Sequence, residues 1–172
     1  MTKRNRILSA MLILGLSAFI SAAKTPSELT HADCRSIFPG ANSSEAIRTL
    51  DSGVQWTEAW EHGSWGPAEE FLGYVFLKSL QHEGKTIEVL AGVTNTGIIS
   101  SVSVKGLDGI DDEFLAQFRG KTIHDNFDFA RTPEDLLFIP VKIKMMKGNF
   151  ALSESIALSV KEVVMSADKL LK

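Results

Sequence analysis

The chain has 172 residues, 44% hydrophobic and 23% charged, with a formal net charge of −3. That composition suits one globular domain with a full apolar core, and the chain lacks the Lys/Arg stripe of a nucleic-acid binder. The one cysteine, Cys34, excludes an internal disulfide framework, so packing has to carry the stability.

At the N-terminus Lys3, Arg4 and Arg6 form a basic cap, and no charged residue follows from Ile7 to Ala23. The run closes on Ser21-Ala22-Ala23 and turns polar at Lys24-Thr25-Pro26. That order predicts a secretory signal peptide over residues 1–23. The apolar run also reaches the lower limit of the roughly 17–25 residues a spanning helix needs, so an uncleaved anchor is the competing reading. Either reading places the rest of the chain outside the cytoplasm, periplasmic or secreted, or held at the inner membrane. Without Lys3, Arg4 and Arg6 there are 15 basic against 21 acidic residues, a charge of −6, and no polybasic patch for an anionic membrane surface.

Residues 24–70 read as a lead-in to a main domain over 71–172. A helical turn is expected around Glu28–Cys34, followed by a turn at Ile37-Phe38-Pro39-Gly40-Ala41. Ser43 or Ser44 is placed to cap a short helix through Leu50 that the Asp51-Ser52-Gly53 turn would end. Val54–Trp65 holds all three tryptophans, and the spacing of Trp56 and Trp60 suits one face of a helix or of a strand. Core packing is favoured over an exposed aromatic platform, because aromatic rings bury large apolar area wherever they sit.

Gly73–Leu77 reads as a strand, turned by Gln81-His82-Glu83-Gly84 into a second strand, Thr86–Thr94, in which Ile87, Val89, Ala91 and Val93 share a face. Asn95-Thr96-Gly97 is a tight turn, and Ile98–Lys105 a third strand that alternates Ile98, Ser100, Val102 and Val104 against Ile99, Ser101 and Ser103. Short turns between successive strands make an antiparallel meander. A loop over Gly106–Gly109 leads to a helix from Asp111-Asp112, carrying Phe114, Leu115 and Phe118 and ended by Gly120. Residues 122–135 read as loop. Leu136–Ile139 and Val141–Met145 read as a strand interrupted by Pro140. A long helix is expected from Ser155 to Leu171, capped by Ser153, with Ile156, Val160, Val163, Val164 and Ala167 on its apolar stripe. The fold class is therefore α+β, an antiparallel β-meander packed against a long C-terminal helix.

His31, His62, His82 and His124 lack metal-ligand spacing, and Asp108, Asp111, Asp112 and Glu113 lack the spacing of a calcium loop. No metal is expected, and no Walker loop, nucleophile elbow or haem motif is present. One place suits an anion: the Gly148–Ser155 lead into the last helix, with Ser153, Ser155 and the nearby Lys144 and Lys147, opposed by Glu154 in the expected first turn. The alternative is that both serines simply cap a core helix.

Several stretches together resemble the FMN-binding domain family of bacterial flavin electron carriers, which includes the G subunit of the Rnf electron-transport complex and the C subunit of the sodium-pumping NADH:quinone oxidoreductase. They are Gly73-Tyr74-Val75-Phe76, Ala91-Gly92-Val93, the strand with Gly97, Ile99, Val102 and Val104, Ile37-Phe38-Pro39-Gly40-Ala41, and Phe114-Leu115-Ala116-Gln117-Phe118-Arg119-Gly120-Lys121. The resemblance covers about residues 37–171, in the family's order. Where the family has a Glu-Thr-Pro-Gly loop, this chain keeps glycines in Lys105-Gly106-Leu107-Asp108-Gly109. Where the family places a flavin-bearing hydroxyl before the last helix, the matching stretch is Phe150-Ala151-Leu152-Ser153-Glu154-Ser155, with no threonine.

The resemblance implies an FMN cofactor, with Gly148, Asn149, Ser153, Ser155, Lys105 and Gly106 as the binding residues and Ser155 as the bearer of any phosphoester. It implies an electron carrier with a membrane redox partner, and no dedicated substrate of its own. In that fold the Gly148–Ser155 turn faces the Lys105–Asp112 loop across a cleft. The alternatives are a member of the same fold that binds no flavin and serves as an interaction or accessory module, or an unrelated exported α+β fold such as a cystatin-like sheet on a helix.

Overall fold

The computed structural model describes residues 27–63, 69–137 and 142–172. The expected signal segment over residues 1–23, Trp65 and the residues around Pro140 lie outside these ranges. In chain order the elements are α1 (His31–Ile37), β1 (Ser43–Ser44), β2 (Arg48–Thr49), β3 (Gln55–His62), β4 (Glu69–His82), β5 (Lys85–Thr94), β6 (Ile99–Lys105), α2 (Asp112–Ala116), a 3₁₀ turn (Pro133–Leu136) and α3 (Phe150–Leu170).

The meander forms as the alternation dictates: β4, β5 and β6 pair antiparallel in sequence. The β4–β5 turn is tighter than expected, since β4 continues to His82 and only Glu83 and Gly84 turn, both at positive φ (49° and 76°). That is the backbone a two-residue hairpin needs to match the strands' right-handed twist.

The region before it is more β than its local propensity suggests. The helix expected from Ser43 to Leu50 does not form: Ser43–Ser44 and Arg48–Thr49 pair with β3, Ser43 opposite Trp60 and Arg48 opposite Trp56. Pairing outweighs a short helix that would have little apolar face to bury. Trp56 and Trp60 lie on a strand, in a row of rings where Trp56–Tyr74, Phe71–Tyr74 and Trp60–Phe71 centroids are 5.5, 5.0 and 5.0 Å apart. With β1 and β2 both on β3, the result is one six-stranded antiparallel sheet, and the C-terminal helix packs on it.

Both faces of the sheet are covered. On one, Val54, Trp56, Phe76, Ile87, Val89, Ala91, Val93 and Ile99 meet Ile156, Val160, Val163, Val164 and Ala167 of α3 and Phe114 and Phe118 beside α2. Each large side chain buried there contributes about 1.5–3 kcal/mol before entropy is set against it. On the other face Leu29, Cys34, Ile37 and Phe38 cover Ala59, Val75, Leu77 and Leu90. Cys34 is fully buried, and burial pushes its thiol pKa up, as befits a packing residue.

Strict alternation fails in β6. Val93 pairs with Ile99 but Gly92 pairs with Ser101, so Ser100 is an extra, bulged residue. The bulge reverses the side-chain phase, leaving Ile98 exposed and putting Ile99 with Val102 and Val104 on the α3 face.

Beyond α2 the expected interrupted strand does not appear among the described residues. Leu136 belongs to the 3₁₀ turn, and Ile143 makes only an isolated parallel bridge with Phe129. Side chains hold this stretch where ladders do not. The Gln117 amide donates to the Lys144 carbonyl (3.0 Å) and accepts from the Lys144 N–H (2.8 Å).

Candidate functional site

α3 starts at Phe150, not Ser155, with Asn149 at the cap position. Gly148, at φ 75°, supplies the left-handed residue that swings the chain from the 142–147 segment into the helix. The earlier start changes the role of each expected residue. Ser153 lies inside the helix and is fully buried. Its hydroxyl donates to the Asn149 carbonyl (2.8 Å) and accepts the Met146 N–H (3.0 Å), so it fastens the incoming segment to the first turn. Ser155 is half-buried, and its hydroxyl donates to the Ala151 carbonyl at 2.9 Å. Neither serine caps. Glu154 falls in the second turn, and no acidic residue occupies the first.

The start of α3 is correspondingly open. No side chain caps it, and the N–H groups of Phe150, Ala151 and Leu152 meet no acceptor among the described residues. A 21-residue helix presents partial positive charge there, and the exposed Lys144 and Lys147 lie just before it.

Beside this turn runs a groove of about 760 Å³. Glu154, Ala157, Leu158 and Lys161 of α3 form one wall, and Phe127, Phe129, Arg131 and Thr132 form the other, with Met145 and Lys142 between. Asp135 and Lys142 are paired at 2.7 Å. The Lys142 ammonium, with N–H groups of Arg131 and Thr132, lowers the Asp135 pKa to about 2 and fixes the 3₁₀ turn as the groove's far rim. Arg131 and Lys161 are cations without an ionic partner among the described residues, and Asp128 and Glu154 are carboxylates in the same condition. The groove is therefore balanced in charge; it meets α3 at Glu154 and is lined by none of residues 148–153, so the anion-attracting helix start lies next to it and outside its lining.

Gly148, Asn149, Ser153 and Ser155 thus come together at the start of α3, whereas Lys105 and Gly106 do not join them. The Lys105 ammonium is paired with Asp33 of α1, on the opposite face of the sheet. Burial pushes the Asp33 carboxyl up, but Lys105 and two hydrogen bonds from Thr30 (2.9 Å each) outweigh it and hold the pKa below its ordinary value. Gly106, at φ 85°, closes on the Thr86 carbonyl, where a Cβ would come within 2.6 Å of the oxygen. The far end of the Lys105–Asp112 loop does approach the segment before α3. Asp111 shares a cavity of about 260 Å³ with Lys144 and Met145, lined by none of residues 148–155.

Phe127, Phe129, Arg131, Lys142 and Lys161 are groove residues that the sequence does not single out. They come from separate stretches that only the return of 142–149 onto α2 brings together. Among the described residues no helix is long and apolar enough to cross a membrane, and no three His, Cys, Asp or Glu side chains are grouped to hold a metal ion. A scan against protein-family models finds no match, and no curated protein matches the chain.

Proposed function

We propose that the chain is an exported FMN-binding protein of the electron-carrier kind, with the phosphate held at the start of α3 and the flavin ring lying in the adjoining groove. The observation that supports this most is the uncapped helix start, with three free N–H groups, no first-turn carboxylate and two exposed lysines alongside. Phe129 and Met145 offer the ring an apolar surface, and Arg131 and Lys161 lie within reach of polar edges. Bound FMN would supply one- or two-electron transfer, and the protein would set its position and potential. Ser153 is fully buried and both donates and accepts, whereas Ser155 is half-buried and only donates, so any phosphoester falls to Ser155.

A second reading, an accessory module of the same fold that binds no flavin, is favoured by one specific observation. Lys105 is committed to Asp33 on the other face, so the six expected residues do not make one cradle. Protein purified from the periplasm of a host that supplies a flavin transferase separates the two. The first reading expects a yellow protein, or one that quenches added FMN fluorescence saturably. Flavin that stays with acid-precipitated protein should be lost in Ser155→Ala. A colourless protein that takes up no FMN leaves only the accessory module.

A further inference from the structure

A second cavity, of about 560 Å³, lies at the other end of the sheet, on the face that α1 covers. Two β-bulges border it. Ala59 pairs with Gly73 but Trp60 with Phe71, which makes Leu72 the extra residue of β4, and Ser100 is the extra residue of β6. Bulges re-aim side chains that alternation would send elsewhere, and they gather beside binding sites. The Ser100 hydroxyl is the one buried side-chain polar atom among the described residues that lacks a hydrogen-bond partner. Between the bulges Gly92 leaves a notch that Ile37 fills; a Cβ there would lie 2.0 Å from Ile37 Cγ2 and 2.6 Å from Ser100 Oγ.

Two charged residues line the cavity, Arg119 and Glu70, both exposed and both without an ionic partner among the described residues. The Asn95 amide nitrogen is used on the Phe71 carbonyl (3.1 Å), which leaves its oxygen free. Phe38, Pro39 and Leu72 supply apolar wall. One free cation and one free anion over an apolar wall disfavour a simple anion or cation, which would meet a like charge, and favour a ligand with separated opposite charges. A guanidinium fork also matches a carboxylate.

We propose that this cavity binds a small zwitterion of the amino-acid class with an apolar side chain. Its carboxylate lies on Arg119, its ammonium faces Glu70 and the Asn95 oxygen, and its side chain rests on Phe38 and Leu72. The volume falls within the roughly 300–1,000 Å³ of small-molecule sites. Calorimetric titration of the full-length chain, in mild detergent, with L-leucine and L-phenylalanine tests it. Saturable binding of at least one is expected, weakened about tenfold or more in both Arg119→Gln and Glu70→Gln, with N-acetyl-L-leucine far weaker than L-leucine. Both substituted residues are exposed, so the variants keep the fold. No saturable heat with either amino acid overturns the proposal, as does binding unchanged in Arg119→Gln. N-acetyl-L-leucine binding as tightly as L-leucine also overturns it, because Glu70 would then select nothing.

Discussion

The two faces of the sheet are closed by different means. On one, the 21-residue α3 lays a broad stripe over a continuous apolar layer, and stability comes from area. On the other, the seven-residue α1 covers a smaller cluster, and it is located by fit: Ile37 in the Gly92 notch, the Thr30 capping box, and Asp33 reaching across to Lys105. A broad cover tolerates local irregularity, which leaves the start of α3 free to be open and uncapped. A narrow one depends on a few contacts, and the bulges that shape it also leave a cavity at its margin.

Substitutions can pull these two regimes apart. Phe76→Ala, in the α3-facing layer, should lower unfolding free energy by about 3–5 kcal/mol in urea titration, the usual cost of a large buried ring. Gly92→Ala adds one carbon to the notch under Ile37 and should cost about 1–3 kcal/mol. Its signature is local, with hydrogen exchange accelerating in α1 more than in β5. Equal acceleration in both would show that α1 is not held by fit.

Ser153→Ala should cost roughly 1–2 kcal/mol, because the Met146 N–H loses its acceptor. It should leave FMN uptake unchanged, whereas a loss of uptake at full stability would make Ser153 a ligand and not a fastener.

The smallest effect is electrostatic. The folded pKa of Asp135 lies below its ordinary 3.8, so its contribution to the groove rim is complete above about pH 4 and is lost as pH falls through about 2. A carboxyl-carbon NMR titration should give a midpoint near 2, moving toward 3.8 in Lys142→Ala. A native midpoint near 3.8 would mean that the Lys142 pair does not hold the rim.

The meander is legible in the sequence because period-two alternation and an Asn-Thr-Gly turn act locally, and the stripe of α3 is legible for the same reason. What the sequence hides depends on distant partners. Ser43–Ser44 looks like a helix cap until β3 offers a strand to pair with. Ser153 and Ser155 look like caps because serines favour that position, yet Gly148 starts the helix earlier and turns both hydroxyls back onto carbonyls. The bulge at Ser100 inserts one residue with no glycine or proline on its own strand, and its one sign is Gly92 on the partner strand, which is recognisable only once the two strands are paired. The residues expected at the flavin site stay together where they are close in sequence, from Gly148 to Ser155. They separate where the pairing is long-range, because the acid that claims Lys105 lies on the lead-in segment.

The proposed flavin site is the start of α3, on the broad face. Amide NMR shifts during titration of the full chain with FMN test this most directly. Saturable shifts are expected at Asn149, Phe150, Ala151 and Leu152, with smaller ones at Phe129 and Lys161. Shifts centred on Ser101 and Lys105, or no shifts at all, would contradict the proposed site.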